Sequence, residues 1–144
     1  KADQTADGAG IAKEISLTGS TLNGDSISIS GNEITIERGG LYSININAQI
    51  YRISGGSTED FFMWVEGDSG SGFSALPNSA RHSSTLNSNK TFVVPMEITQ
   101  TFNAGDILKF MFEVSNTNVY WNYEPASGSR PEVNSFNAIV RRVL

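Results

Sequence analysis

Tyr42-Ser43-Ile44-Asn45-Ile46-Asn47-Ala48-Gln49-Ile50-Tyr51 changes side-chain character at every step. Successive residues of a strand point to opposite faces. Tyr42, Ile44, Ile46, Ala48 and Ile50 therefore share one side, and Ser43, Asn45, Asn47, Gln49 and Tyr51 share the other. A helix would scatter both sets around its circumference, so the stretch reads as a β-strand with one face in a core and one polar face that is solvated or paired. Gly39-Gly40 opens it and Ser54-Gly55-Gly56-Ser57 closes it.

The same period of two continues on both sides. Upstream, residues 11–17, 26–30 and 33–36 read as strands, the last two joined by Gly31-Asn32, a linker suited to a tight hairpin. Downstream, Asp60-Phe61-Phe62-Met63-Trp64-Val65 is too apolar to be solvated on both faces. Residues 67–89 are rich in Ser, Gly and Asn and read as a long loop, either functional or mobile. Residues 91–102 and 107–115 form two strands about the turn residues Asn103-Ala104-Gly105-Asp106. In the second of these, Leu108, Phe110, Phe112 and Val114 form a core face and Lys109, Met111 and Glu113 the opposite one. Residues 119–123 and 135–144 are the last strands, either side of a loop with two prolines. About nine short strands without a helix imply a β-sandwich or closed barrel.

A chain of 144 residues suits one domain, here 1–144, with 1–10 expected to be a flexible or stalk-proximal lead-in. It has no Cys and a single His, His82, which excludes disulfide staples, thiolate zinc sites, cysteine nucleophiles and multi-histidine metal centres. Its net charge of -5 without Lys/Arg clusters argues against nucleic acid or an anionic membrane as partner, and no apolar run is long enough to insert in one. The chain starts at Lys1 without an initiator Met, an exported-signal core or a basic leader, which suggests a processed product or an excised C-terminal domain.

The block Ile34-Thr35-Ile36-Glu37-Arg38-Gly39-Gly40-Leu41-Tyr42-Ser43-Ile44 resembles the "apolar strand, Gly-x-Tyr, apolar strand" block of the complement one-q globular heads, which belong to the tumour-necrosis-factor-like jelly rolls. Glu66-Gly67, Phe102 followed by Ala104-Gly105-Asp106 and Ile107-Leu108, and Asn134-Ser135-Phe136-Asn137-Ala138-Ile139-Val140 follow in the family's order. Lack of Cys and the long Ser/Gly/Asn loop suit bacterial or phage relatives better than vertebrate ones. The resemblance implies an all-β, two-sheet antiparallel jelly-roll sandwich that forms a homotrimer. It places the first, terminal, Tyr42 and Phe110 strands in one sheet facing the threefold axis, and the Ile34, Trp64, Val94 and Tyr120 strands in the other. Asn45, Asn47, Gln49, Tyr51, Lys109, Met111 and Glu113 would then line the trimer interface, and the loops 19–24, 54–59, 103–106 and 124–132 would gather at a distal tip.

Catalytic readings of the residues are thin. Gly67-Asp68-Ser69-Gly70-Ser71-Gly72 is similar to a trypsin-like nucleophile loop, but the base of that family precedes the serine and His82 follows it. Glu59-Asp60, Glu66 with Asp68, and Glu124 with Glu132 are the nearest carboxylate pairs, and none has the spacing of a known calcium loop. No cofactor is expected, although calcium near the tip in some family members makes Asp106 and Glu124 candidate ligands. Asn89-Lys90-Thr91 fits a glycosylation acceptor if the source is a secreting eukaryote.

The strongest candidate for recognition is Tyr120-Trp121-Asn122-Tyr123-Glu124 with Arg130. Aromatic rings stack on sugars, and Asn, Glu and Arg give directional hydrogen bonds. Tyr120 and Asn122 must face opposite to Trp121 and Tyr123, so one pair can pack the core while the other stays outside. The expectation is a non-enzymatic trimeric head on a cell or virion surface that recognises a glycan or protein receptor. The alternative is a purely structural trimerisation or capping module.

Overall fold

The computed structural model describes residues 3–17, 24–53, 58–85 and 89–144. Eleven strands and no helix occur among them: β1 (Lys13–Glu14), β2 (Ile27–Ser30), β3 (Glu33–Ile36), β4 (Gly40–Arg52), β5 (Glu59–Asp68), β6 (Ser74–Ala75), β7 (Arg81–Thr85), β8 (Lys90–Phe102), β9 (Ile107–Val114), β10 (Val119–Trp121) and β11 (Phe136–Arg142). They form two antiparallel sheets. The larger runs β2-β3-β9-β5, with β1 continuing the β3 edge of β9, and β6 and β7 sharing the free edge of β5. The smaller has β4 at its centre, β8 along one side, and β10 and β11 end to end along the other.

The alternation in β4 does what the sequence predicts: Tyr42, Ile44, Ile46, Ala48 and Ile50 are buried, facing Phe61, Met63, Val65, Leu108, Phe110 and Phe112 from the other sheet in one core. Trp121 sits at its centre, with the Phe61, Phe112 and Phe136 centroids 5.3–5.4 Å away and all three rings edge-on to it. Its indole nitrogen is buried and has no hydrogen-bond partner among the described residues. A weak N–H to ring contact is the remaining way for such a site to lower its cost.

The sheet membership implied by the family resemblance needs correction. The Phe110 strand, β9, does not join β4; it pairs with β3 and β5. The Val94 strand, β8, is the full-length partner of β4, from Gly40 opposite Phe102 to Arg52 opposite Lys90, and the Tyr120 strand also lies on β4. The first strand, β1, joins β9. Pro95 confirms the edge position of β8, because proline removes a ladder donor and is tolerated only where no further strand follows.

The ends of the sandwich change accordingly. The turn 103–106 lies where β4 begins, whereas Thr58 and Glu59 lie where it ends, so these two loops occupy opposite ends. Residues 19–23 and 54–57 of the expected tip lie outside the described residues. The 67–89 loop contains β6 and β7, which run along the flank of β5; Ser79, fully buried, fixes it by accepting the Val65 N–H at 3.2 Å and lying 2.8 Å from the Leu76 carbonyl. Of the lead-in 1–10, Gln4 bridges to Trp121 and the Gly10 N–H donates to Val114.

Candidate functional site

The outer face of the smaller sheet carries Ser43, Asn45, Asn47, Gln49 and Tyr51 in a row along β4. Register sets Thr91, Val93, Pro95 and Glu97 of β8 on one side of that row, and Asn137, Ile139 and Arg141 of β11 on the other. Val93 and Ile139 are 62% and 54% exposed. Alternation in β8 and β11 would have placed both outside, but the sequence reading did not single them out. Asn45 Nδ2 donates to Ser43 Oγ at 2.9 Å, and the Tyr51 hydroxyl donates to Asn89 at 3.2 Å. Tyr51 also meets Tyr120 at 5.6 Å between centroids, which settles Tyr120 on this face. Burial pushes the Tyr120 phenol above its ordinary value.

Of the seven residues expected at one interface, four share this face: Asn45, Asn47, Gln49 and Tyr51. Lys109, Met111 and Glu113 lie on β9 and face outward from the other sheet, so they cannot line the same surface. Lys109 is held there by Glu14 at 2.6 Å and Glu33 at 3.3 Å, while Met111 is almost fully covered.

Residues 122–135 leave the sheet sideways, between β10 and β11, rather than from an end. Gln49 holds both feet of this loop: its carbonyl accepts the Asn122 N–H at 2.9 Å, its side-chain amide donates to the Asn122 carbonyl at 3.1 Å, and its own N–H donates to Ser135 at 2.8 Å. Glu124 pairs with Val133 and Ser127 with Arg130, so the loop folds back on itself as a small hairpin. A shallow hollow lined by Asn47, Gln49, Val93, Glu132, Val133 and Asn137 lies between the loop and the amide row.

The six candidate binding residues divide by burial. Trp121 is fully buried, so it is a core residue and not a ligand contact. The Arg130 guanidinium is paired to the Glu124 carboxylate, which also accepts from Asn122 at 3.2 Å. The Tyr123 hydroxyl donates to Glu132 at 3.0 Å. Tyr120, Asn122, Tyr123, Glu124 and Arg130 thus remain at the surface, with much of their polar capacity used inside the loop.

Asp106 accepts the Asn103 N–H at 2.8 Å and closes the β8–β9 turn, and no group of three or more acidic or histidine side chains suited to a metal occurs among the described residues. The Asp68 carboxylate accepts the Gly70 and Gly72 N–H groups at 2.7 and 2.8 Å, which hold it below the usual carboxylate range. The segment around Ser69 is therefore a tight turn. His82 pairs opposite Phe62, six residues along β5 from Asp68, about 20 Å away. His82 Nε2 does lie 2.8 Å from Asp60 and 3.3 Å from Ser84. A nucleophilic relay divides the two ring nitrogens between serine and carboxylate. Here both partners meet the same nitrogen, and the Ser84 hydroxyl donates to Asp60 at 2.7 Å, forming a clamp rather than a relay. The Ser84 and His82 hydrogen bonds hold the Asp60 carboxyl below its ordinary value. No family model matches the chain, and no curated protein matches it either.

Proposed function

We propose that the chain is a non-enzymatic, homotrimeric head domain with the jelly-roll fold of the complement one-q and tumour-necrosis-factor-like proteins, of bacterial or phage type. It terminates a fibre, stalk or surface protein on a cell or virion, holds three chains in register, and contacts a glycan or protein receptor through its loops. The observation that carries this reading is the outer face of the smaller sheet. A row of uncharged amides flanked by the exposed Val93 and Ile139, with charge confined to Glu97 and Arg141 at its Ser43–Asn45 end, has the make-up of an interface core able to pair its amides across a symmetry axis. A solvated sheet face would more often carry Lys and Glu.

The purely structural alternative is favoured by one feature of the loop: Arg130 is neutralised by Glu124 and Tyr123 is engaged by Glu132, leaving few free donors. Three variants test both levels. Asn47→Arg sets like charges against each other at the proposed axis and should reduce the assembly to single chains, while Glu113→Gln on the other sheet should not. Tyr123→Ala with Arg130→Ala should abolish cell or glycan-array binding by an intact trimer. Unchanged binding supports the structural module, and an unchanged mass for Asn47→Arg removes the proposed interface.

A further inference from the structure

The outer face of the larger sheet is chemically unlike that of the smaller. Its centre is a ladder between β5 and β9 in which Glu66 lies opposite Lys109, Trp64 opposite Met111, and Phe62 opposite Glu113. At one end the chain already holds a cation of its own: Lys109 Nζ sits 4.0 Å from the centroid of Phe73 and within reach of Glu14 and Glu33. A ring face with carboxylates on either side is the recognition mode for an ammonium or guanidinium group.

Two rungs along, the same elements recur with the His82 imidazole, in place of a lysine, on one face of the ring. Phe62 is 37% exposed and stacked on His82, with centroids 4.6 Å apart and planes within 14°. Trp64 is half-buried beside it, its indole N–H donating to Glu66 at 3.0 Å. Across the ladder from Phe62, the half-buried Glu113 carboxylate makes no hydrogen bond or ion pair among the described residues. His82, on the other side of Phe62 in the register, is hydrogen-bonded to Asp60, and Lys109 is already paired. The ring surface is therefore rimmed by carboxylates, one of them unmatched, and charge complementarity selects a positive occupant.

We propose that this face docks a cationic protein segment, one of whose Lys or Arg side chains enters against the Phe62 ring and pairs with Glu113. The site is separate from the amide face and does not depend on the trimer.

Titration of the whole chain with tetralysine tests it, followed by tryptophan emission, because Trp64 is half-exposed and Trp121 is sealed in the core. Saturable binding is expected, weakening with salt, and about three- to tenfold weaker in Phe62→Leu and in Glu113→Gln. Glu37→Gln, which removes an equal charge at the end of β3, should leave it unchanged. Near-ultraviolet circular dichroism checks that each variant stays folded. Equal weakening by Glu37→Gln would mean diffuse attraction to an acidic protein and overturn the proposal. So would an absence of saturation, or binding of neutral maltotetraose in place of tetralysine with the same sensitivity to Phe62→Leu.

Discussion

The Arg52 guanidinium lies 3.8 Å from the Glu59 carboxylate with both side chains sealed from solvent, at 0% and 8% exposure. Arg52 ends β4 in one sheet and Glu59 begins β5 in the other, so the pair bolts the two layers together at one end of the sandwich. The Ser115 hydroxyl, donating to the second Glu59 oxygen at 3.3 Å, ties in β9 as well.

Removing one partner of a buried ion pair takes away the closest compensation for the other's charge in a low-dielectric site. Arg52→Met or Glu59→Gln should therefore each cost about 3–5 kcal/mol, read as a lower urea midpoint at unchanged slope. The double replacement Arg52→Met with Glu59→Leu should recover a large part of that loss. A single variant within about 0.5 kcal/mol of the parent would show that water reaches the pair.

Trp121 should behave as the keystone of the core. Trp121→Ala empties the space between Phe61, Phe112 and Phe136 and is expected to cost about 3–5 kcal/mol, whereas Trp121→Phe, which also removes an unpaired donor, should cost much less. Similar urea midpoints for the two variants would contradict this packing.

Gly40 is held at φ 152°, and a Cβ there would collide with the Leu144 carbonyl oxygen. That carbonyl accepts the Leu41 N–H at 3.0 Å, so the C-terminus is laced to the start of β4. Gly40→Ala should lower stability by more than the ~1 kcal/mol of an ordinary backbone penalty and raise amide exchange at Leu41 and Val143. Protection equal to that of the parent would show that the terminus yields without cost.

The Glu14–Lys109 contact makes a pH-dependent contribution of definite sign. Hydrogen bonding to Lys109 lowers the Glu14 pKa, so this part of the stability is present above the ordinary glutamate value and fades as pH falls through the lowered one. Lys109 is raised, chiefly by Glu14, so its part is present below the ordinary lysine value and fades as pH rises through the raised one. Glu14 is partly exposed, which limits the effect to about 1 kcal/mol or less. The stability gap between the parent and Lys109→Met should be constant from about pH 5 to 9 and shrink below about pH 4. A gap independent of pH would assign it to the Phe73 contact alone.

The alternation in β4 and β9 was legible because each strand buries one face, and local period alone reports that. Which sheet each strand joins was not legible: β8 and β9 both alternate apolar and polar residues, and only long-range register distinguishes the neighbour of β4. β7 was hidden because Arg81, His82, Ser83 and Ser84 are all polar, as an edge strand with little to bury can be. In the candidate site, the opposed facing of Tyr120 and Trp121 followed from strand geometry, while the pairing of Arg130 with Glu124 arose from a hairpin within the loop that no periodicity signals.

In the proposed homotrimer, copies of the same chain cover the amide face of β4. Light scattering coupled to gel filtration, at about ten micromolar protein, measures this directly. A homotrimer gives a single species at three times the 15.5 kDa chain mass, and a species at the chain mass itself would rule the homotrimer out.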